Sequence, residues 1–309
     1  MTMLGIAGIQ MPVSAIANNI DMMERYVSHV RKRFPWVTVM VFSELCVFGS
    51  NPAHAQTMPG EAENRLQAIA AKYGMWLIPG TMFEKLDGKI YNTTPIISPE
   101  GIVVDRYRKM FPFYPYEQGI AAGDRFVVFD IPGVARIGMS ICYDMWFPET
   151  TRTLAAMGAE VIIHPTMTDT IDREVELAMC RAAAAQNQAY FFDVNGVGDG
   201  GVGQSCVIDC AGYVVHQAST MPEIMAVQVD LGKVRRERET GLRGLGQVLK
   251  SFRDRPVAFN VYDRTLASDA YLNTLGPLKK SGRNLNEALS DDIESDPYGK
   301  NMEISGPMG

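Results

Sequence analysis

The chain has 309 residues, 47% of them hydrophobic and 21% charged, with a formal charge of −6. That balance excludes a disordered or fibrous chain and supplies a sizeable core, in one large α/β domain or two ordinary ones. An acidic chain does not gain affinity by neutralising phosphates, so no nucleic-acid partner is expected. Five cysteines are too few for a disulfide-stapled scaffold, and their odd number leaves a free thiol, which fits a reducing, cytoplasmic setting.

In chain order, Met3 to Gln10 reads as a short apolar strand with no positively charged n-region, unlike a signal peptide. From about Ala15 to Phe34, Ile20, Met23, Val27 and Val30 recur on one helical face. Trp36 to Phe42 is a β-branched, apolar strand that ends at Ser43 and Glu44. Gly60 to Tyr73 follows as a helix and Trp76 to Phe83 as a strand; Asp87-Gly88 then turns the chain into a strand around Tyr91 to Ser98. Ile102 to Arg108 is the next strand. It ends at Lys109 and opens an aromatic, proline-containing loop over residues 110–117 that is too apolar for a merely solvated connection.

Phe126 to Ile131 and Ala135 to Ile141 are strands, and the second runs straight into Cys142, Tyr143 and Asp144, with Pro148-Glu149 starting a helix that continues to Met157. Glu160 to His164 is a buried strand and Arg173 to Gln188 a helix. Ala189 to Val194, Gln204 to Asp209, Tyr213 to Gln217 and Ile224 to Val229 are further strands. Strands separated by helices mix with hairpins in both halves, which predicts two sheets with helices outside them rather than a doubly wound sheet. No apolar run is long enough to span a membrane, so none is expected as a partner. After Asp230, basic residues from Lys233 to Arg255 crowd a segment poor in β-branched residues, and the chain then loses periodicity. We therefore expect a domain over residues 1–262 and an extension over 263–309 that wraps the domain or a neighbouring subunit, against the plainer alternative of a loose tail.

Three predicted strand ends thus carry unlike chemistry: Glu44, Lys109 and Cys142. A thiolate is a strong nucleophile, but a free cysteine is mostly protonated at neutral pH and needs a base or a positive neighbour. In such a trio Glu44 takes the thiol proton and later returns it to the leaving group. Lys109, with the Tyr143 N–H, stabilises the oxyanion of a tetrahedral intermediate.

The local wording sharpens this reading. Phe42-Ser43-Glu44-Leu45, Tyr107-Arg108-Lys109-Met110 and the run from Gly138 to Glu149 around Cys142 resemble, in order, the three catalytic segments of the nitrilase superfamily of carbon–nitrogen hydrolases. The resemblance covers roughly residues 3 to 230. It implies an α/β fold in the form of a four-layer αββα sandwich of two mixed sheets flanked by helices. It further implies a Glu44-Lys109-Cys142 triad, a thioester intermediate, no metal or other cofactor, and a homodimer or higher homo-oligomer. Glu117 matches a second glutamate that often joins the triad and would orient the lysine or the substrate nitrogen.

Tyr143-Asp144 after the cysteine resembles amide-cleaving members, whereas nitrile-cleaving members typically have Trp and Glu there. Met145 and Trp146 stand where members acting on N-carbamoyl amino acids often place arginines, so a substrate carboxylate finds no local clamp. The resulting expectation is an amidase acting on a small neutral primary amide. Phe113, Tyr116, Tyr143, Trp146 and Thr166 are candidate substrate-binding residues, and Phe111, Tyr114, Met145 and Met167 further possible walls. Nitrile or N-carbamoyl hydrolysis by the same triad, and a catalytically silent binding module, are the alternatives.

The remaining motifs read as structural. Cys206 and Cys210 lack the second pair of a zinc site, the four histidines lack metal spacing, and His164 is expected in a hydrogen-bonding role. The glycines from Gly196 to Gly203 lack the Lys-Ser/Thr of a phosphate loop, and the 19 methionines mostly fill helical faces.

Overall fold

The computed structural model describes residues 2–263 and 270–278. Two sheets stack face to face. The first has the strand order Glu223–Asp230, Met3–Gln10, Val39–Phe42, Trp76–Ile78, Lys89–Ile97, Met82–Leu86, with Val103–Arg108 and Ile120–Ala121 also paired to Lys89–Ile97. The second runs Val214–Gln217, Cys206–Ile208, Tyr190–Asn195, Val161–Thr166, Ala135–Met139, Val128–Ile131. The centre of each is parallel and the margins antiparallel, so both sheets are mixed.

Strand alternation explains the layering. Ile6, Val41, Ile78 and Tyr107 of the first sheet and Ile137, Met139, Ile163 and Phe192 of the second point inward and form one core between the sheets. The opposite faces pack on helices. Ala7, Ile9, Met40 and Phe42 meet α1 (Ile20–Arg33) and α2 (Glu61–Tyr73), whereas Ile162, Phe191 and Ile208 meet α3 (Pro148–Ala156) and α4 (Asp172–Asn187). The result is the four-layer αββα sandwich that the motifs imply. Among the described residues no helix is long and apolar enough to cross a membrane.

Two expectations need correction. Helix α1 begins at Ile20 rather than Ala15, because the preceding turn is held elsewhere: Asn19 Nδ2 donates to the Ser14 carbonyl (2.9 Å) and Ala15 N–H donates to Asp199 Oδ2 (2.9 Å). The single strand expected over Trp76 to Phe83 is two, broken at Pro79-Gly80, where Gly80 has a φ of 69° and a side chain would meet the Ser43 carbonyl oxygen. The segment after Asp230 contains a helix, α5 (Leu231–Thr240), which Asp230 caps by accepting from Lys233 N–H at 3.1 Å. Its basic residues hold it to the body: Arg235 pairs with Glu160 at 2.7 Å and Arg238 Nε donates to the Gln188 carbonyl at 3.0 Å. The short α6 (Val248–Arg253) follows, and Phe252 lies 5.1 Å under the Arg152 guanidinium of α3. Most of the extension expected over 263–309 lies outside the described residues.

Candidate active site

Each predicted polar strand end is fixed by its own local chemistry. Beyond the Val39–Phe42 strand, Leu45 takes a positive φ of 51°, its N–H donates to Thr81 Oγ1 at 2.8 Å, and Glu44 N–H donates to the Thr166 carbonyl at 3.2 Å. The chain therefore turns there and leaves the Glu44 side chain buried over the gap between the sheets. Lys109 is held by its N–H to the Asn92 carbonyl (2.9 Å) and by its own carbonyl to Gly123 N–H (2.8 Å). Cys142 sits where Ala135–Met139 gives way to a five-residue 3₁₀ turn, Cys142–Trp146, with a φ of 45°. A positive φ at a non-glycine residue is strained and persists only when its surroundings over-determine it.

Asp144 supplies that determination. One carboxylate oxygen accepts from Met110 N–H (3.1 Å) and Phe111 N–H (2.9 Å), and the other from Ile141 N–H (2.8 Å) and Tyr107 O–H (2.6 Å). A single buried side chain thus ties the bend at Cys142 to the segment carrying Lys109. Burial raises its pKa to about 6, against the lowering effect of these hydrogen bonds. The motif reading used Asp144 only as a marker of substrate type. Its role as a tie was not evident from the sequence because the four donors come from two distant segments.

The structure brings Glu44, Lys109, Glu117 and Cys142 together. Lys109 Nζ lies 2.9 Å from Glu44 Oε1 and 2.7 Å from Glu117 Oε2. Asn92 Nδ2 donates to the same Glu44 oxygen at 2.7 Å, and Phe113 N–H donates to Glu117. The Cys142 thiol lies close enough to Glu44 to lower that carboxylate's pKa, and close enough to Thr166 for the hydroxyl to lower its own. Burial opposes the charge on Lys109, but Glu117, Glu44 and Cys142 outweigh it and hold its pKa above the ordinary lysine range. Burial also raises Glu44, making it a stronger base, while Lys109 pulls in the other direction. The thiol is raised by burial and by the Glu44 charge, so it rests protonated beside a carboxylate able to take its proton.

The other expected residues fall on two sides of this cluster. Phe113 stacks on Tyr116 with ring centroids 4.9 Å apart and meets Tyr143 at 4.9 Å; Tyr143 meets Trp146 at 6.0 Å. These four rings form one continuous run of aromatic contacts that passes through Tyr143, the residue after Cys142. Thr166 is buried and close enough to the thiol to lower its pKa. Met145 is not a wall: it lies in the core beneath α4, its sulfur 3.6 Å from Cys180 Sγ. Phe111 stacks on Phe147 at 3.8 Å, and Met167 packs with Leu45, Phe83 and Ile120.

A second buried polar cluster, which the sequence reading did not identify, lies one row below Cys142 and under α4. His164, Asp193 and Cys206 are neighbours across three adjacent strands, and Ser140 Oγ reaches His164 Nδ1 at 3.0 Å. Above them, Arg173 Nη1 lies 2.7 Å from Asp193 and 3.2 Å from Glu176, and Cys180 Sγ donates to Asp193 at 3.3 Å. Cys180, Asp193 and Cys206 have ligand-type atoms within 4.8 Å of one another. The positive charge there is Arg173, which engages the Asp193 carboxylate directly. Burial lowers the His164 pKa to about 4, so His164 is neutral and structural, as expected. The signal that was available is the i, i+3, i+7 spacing of Arg173, Glu176 and Cys180 on one helix face.

The profile of the carbon–nitrogen hydrolase family matches residues 5–239. The chain belongs to that family, within the nitrilase superfamily. It is 28% identical over 259 residues to the human omega-amidase NIT2, an alignment that covers 77% of this chain and 93% of the relative. It is also 33% identical over 207 residues to a nitrilase of Pyrococcus abyssi, covering 65% and 76% of the two chains. Among solved structures it superposes on a carbon–nitrogen hydrolase from Helicobacter pylori with a TM-score of 0.73 at 23% identity, covering 86% of this chain and 99% of the other. It matches a mutant of the amidase from Nesterenkonia, in complex with butyramide, with a TM-score of 0.68 at 22% identity, covering 79% and 97%.

Proposed function

We propose that this carbon–nitrogen hydrolase converts a small neutral primary amide to a carboxylic acid and ammonia through a thioester on Cys142. The observation that carries the reading is a lysine held between two carboxylates, with a thiol at a strained bend close enough to one of them to shift its pKa. As the Cys142 sulfur attacks the amide carbon, its proton passes to Glu44 and the carbonyl becomes an oxyanion. Lys109 Nζ and the Tyr143 N–H stabilise it; an N–H in the first turn of a helix has no intrahelical partner to compete for it. Collapse breaks the C–N bond, Glu44 returns the proton, and ammonia leaves a Cys142 thioester. A water that gives its proton to the same carboxylate then releases the acid and restores the thiol.

Glu117 fixes Lys109 from the side opposite Glu44, and in this reading it also accepts from the substrate nitrogen. The wall of Phe113, Tyr116, Tyr143 and Trp146 shields the acyl group. The names of the omega-amidase and butyramide-bound amidase relatives support an amide in this chamber. Ammonia release from short aliphatic and aromatic amides, with Cys142→Ala in parallel, tests the proposal. Neutral amides are expected to turn over only with the intact cysteine; turnover confined to carboxylate-bearing or strongly cationic amides contradicts it. The likeness to a nitrilase supports nitrile hydrolysis as a second reading, which ammonia release from the matching nitriles alone would favour.

A further inference from the structure

Glu44 is not held by Lys109 alone. Asn92, in the strand Lys89–Ile97, is completely buried, and its Nδ2 donates to Glu44 Oε1 at 2.7 Å. Lys109 Nζ donates to the same oxygen at 2.9 Å. Both donors therefore fall on Oε1, and neither occupies the lone pairs of Oε2. Lys109 is shared with Glu117, whereas the Asn92 amide serves Glu44. Two donors on one oxygen, from two different strands, stop the carboxylate from rotating and so fix the place of the other oxygen.

The rest of the Asn92 side chain is unpartnered. Its Oδ1 is buried and has no hydrogen-bond partner among the described residues. An ionised carboxylate only accepts, so the amide turns Nδ2 to Glu44, and that choice leaves Oδ1 without a donor. A buried acceptor in this state costs stability, and polar groups kept for packing are normally satisfied. Nor is the side chain needed to hold its strand. Thr93 and Arg108 face each other across the ladder and both donate to Glu84: Thr93 Oγ1 at 2.7 Å, Arg108 Nε at 2.7 Å and Nη2 at 2.9 Å. The Asn92 carbonyl accepts from Lys109 N–H at 2.9 Å and does not depend on the side chain. What the side chain adds is one donor to one oxygen of Glu44.

We propose that Asn92 is a positioning residue for the base: by pinning Oε1 together with Lys109, it assigns proton exchange with Cys142 and with the leaving ammonia to Oε2. This role rests on the amidase reading above and deepens it. When the thiol gives up its proton, an S–H bond breaks and an O–H bond forms at Oε2, while Oε1 keeps both of its donors.

Asn92→Ala is the test, with pentanamide as substrate. The carbonyl that holds Lys109 survives the substitution, so only the side-chain donor is removed. Losing a hydrogen bond to the charged form of a carboxylate favours its protonation. The acid limb of kcat/KM is expected to move to higher pH by about one unit, and kcat on the plateau to fall about tenfold with KM within about threefold. A side chain that only fills space would lower stability and leave the limb in place. In the folded variant, an acid limb at the wild-type pH or a wild-type kcat overturns the proposal. Should Asn92→Ala fail to fold, Asn92→Leu, which keeps the volume and also lacks a donor, decides by the same two readouts.

Alkylation of Cys142 by iodoacetamide, followed on its own peptide by mass spectrometry, separates this role from the choice of substrate. The thiol proton again passes to Glu44 as sulfur displaces iodide, so the acid limb of alkylation is expected to move in the variant as that of turnover does. If wild type hydrolyses pentanamide and neither limb moves in the variant, only the role of Asn92 falls. If wild type hydrolyses no amide, the amidase reading falls, and the alkylation limb alone decides whether Asn92 positions the base that takes the thiol proton.

Discussion

The protein contains the same ionic pattern twice. In one copy Lys109 lies between Glu44 and Glu117 beside Cys142; in the other Arg173 lies between Glu176 and Asp193 beside Cys180. Both cations are almost fully buried, and both thiols have raised pKa values for which burial is the first cause. The difference lies in position. The first group stands beyond the strand ends, where the chain turns and the thiol is partly accessible, whereas the second stands one row deeper, with Cys180 at 0% exposure against Met145. A charged group and a thiol therefore do not by themselves make a nucleophile. Access at a strand end and a backbone bend at the cysteine are what distinguish the proposed catalytic group from the deeper one.

The largest expected effect separates the two cysteines. Cys142→Ala should lower turnover by more than about 10⁴-fold while leaving thermal unfolding close to wild type, since a small residue at a bend removes few contacts. Cys180→Ala should do the reverse, costing about 1–2 kcal/mol from the core and leaving kcat within about threefold. Comparable losses of activity in the two variants, measured by ammonia release, would erase the distinction.

Next in size is Glu44→Gln, which removes the proposed base and should lower kcat by roughly 10²–10⁴-fold. The pH profile gives the sign. Glu44 must be ionised to act, and its pKa is raised by burial, so activity should be lost on acidification at a pH above the ordinary glutamate range. An acid limb at or below that range would contradict the assignment.

Asp144→Asn probes the tie between the two catalytic segments. An asparagine presents one acceptor oxygen where the carboxylate presents two, so at least one of the N–H groups of Ile141, Met110 and Phe111 loses its partner. A stability cost of about 1–3 kcal/mol is expected. The displaced bend should lower kcat by about tenfold or more, with KM changed less. Urea unfolding and steady-state kinetics on the same preparation check both parts.

The smallest expected effect belongs to the deeper cluster. His164 is buried neutral with its pKa lowered to about 4, so its contribution to stability is complete above the unfolded value of about 6.5 and falls as pH drops toward the folded one. Between pH 7 and 5 wild type should lose about 2 kcal/mol more than His164→Gln. Equal losses in the two proteins would show that His164 is not a buried neutral group.

These comparisons also show how far the sequence can be read. Glu44, Lys109 and Cys142 are legible because each ends a predicted strand, where such sheets present polar groups, and because the wording around each resembles a catalytic segment of the nitrilase superfamily. The two-sheet architecture follows from runs such as Val39–Phe42 and Val161–Thr166, buried along their whole length. Helix α5 was hidden because only Leu231 and Val234 are buried on it, and its basic face resembles a solvated segment until Glu160 and Gln188 are found opposite. The deeper cluster was hidden for a different reason. Asp193 reads as one polar residue in an apolar strand, and only the pairing of His164, Asp193 and Cys206 across three strands, with α4 laid over them, reveals a partner for it.

The most direct test of the central claim is to stop turnover of pentanamide with acid and map the protein by mass spectrometry. The account predicts one acyl group, attached to the peptide containing Cys142, sensitive to hydroxylamine and absent from Cys142→Ala. An acyl group on another residue, or ammonia release by Cys142→Ala at a rate near wild type, would contradict it.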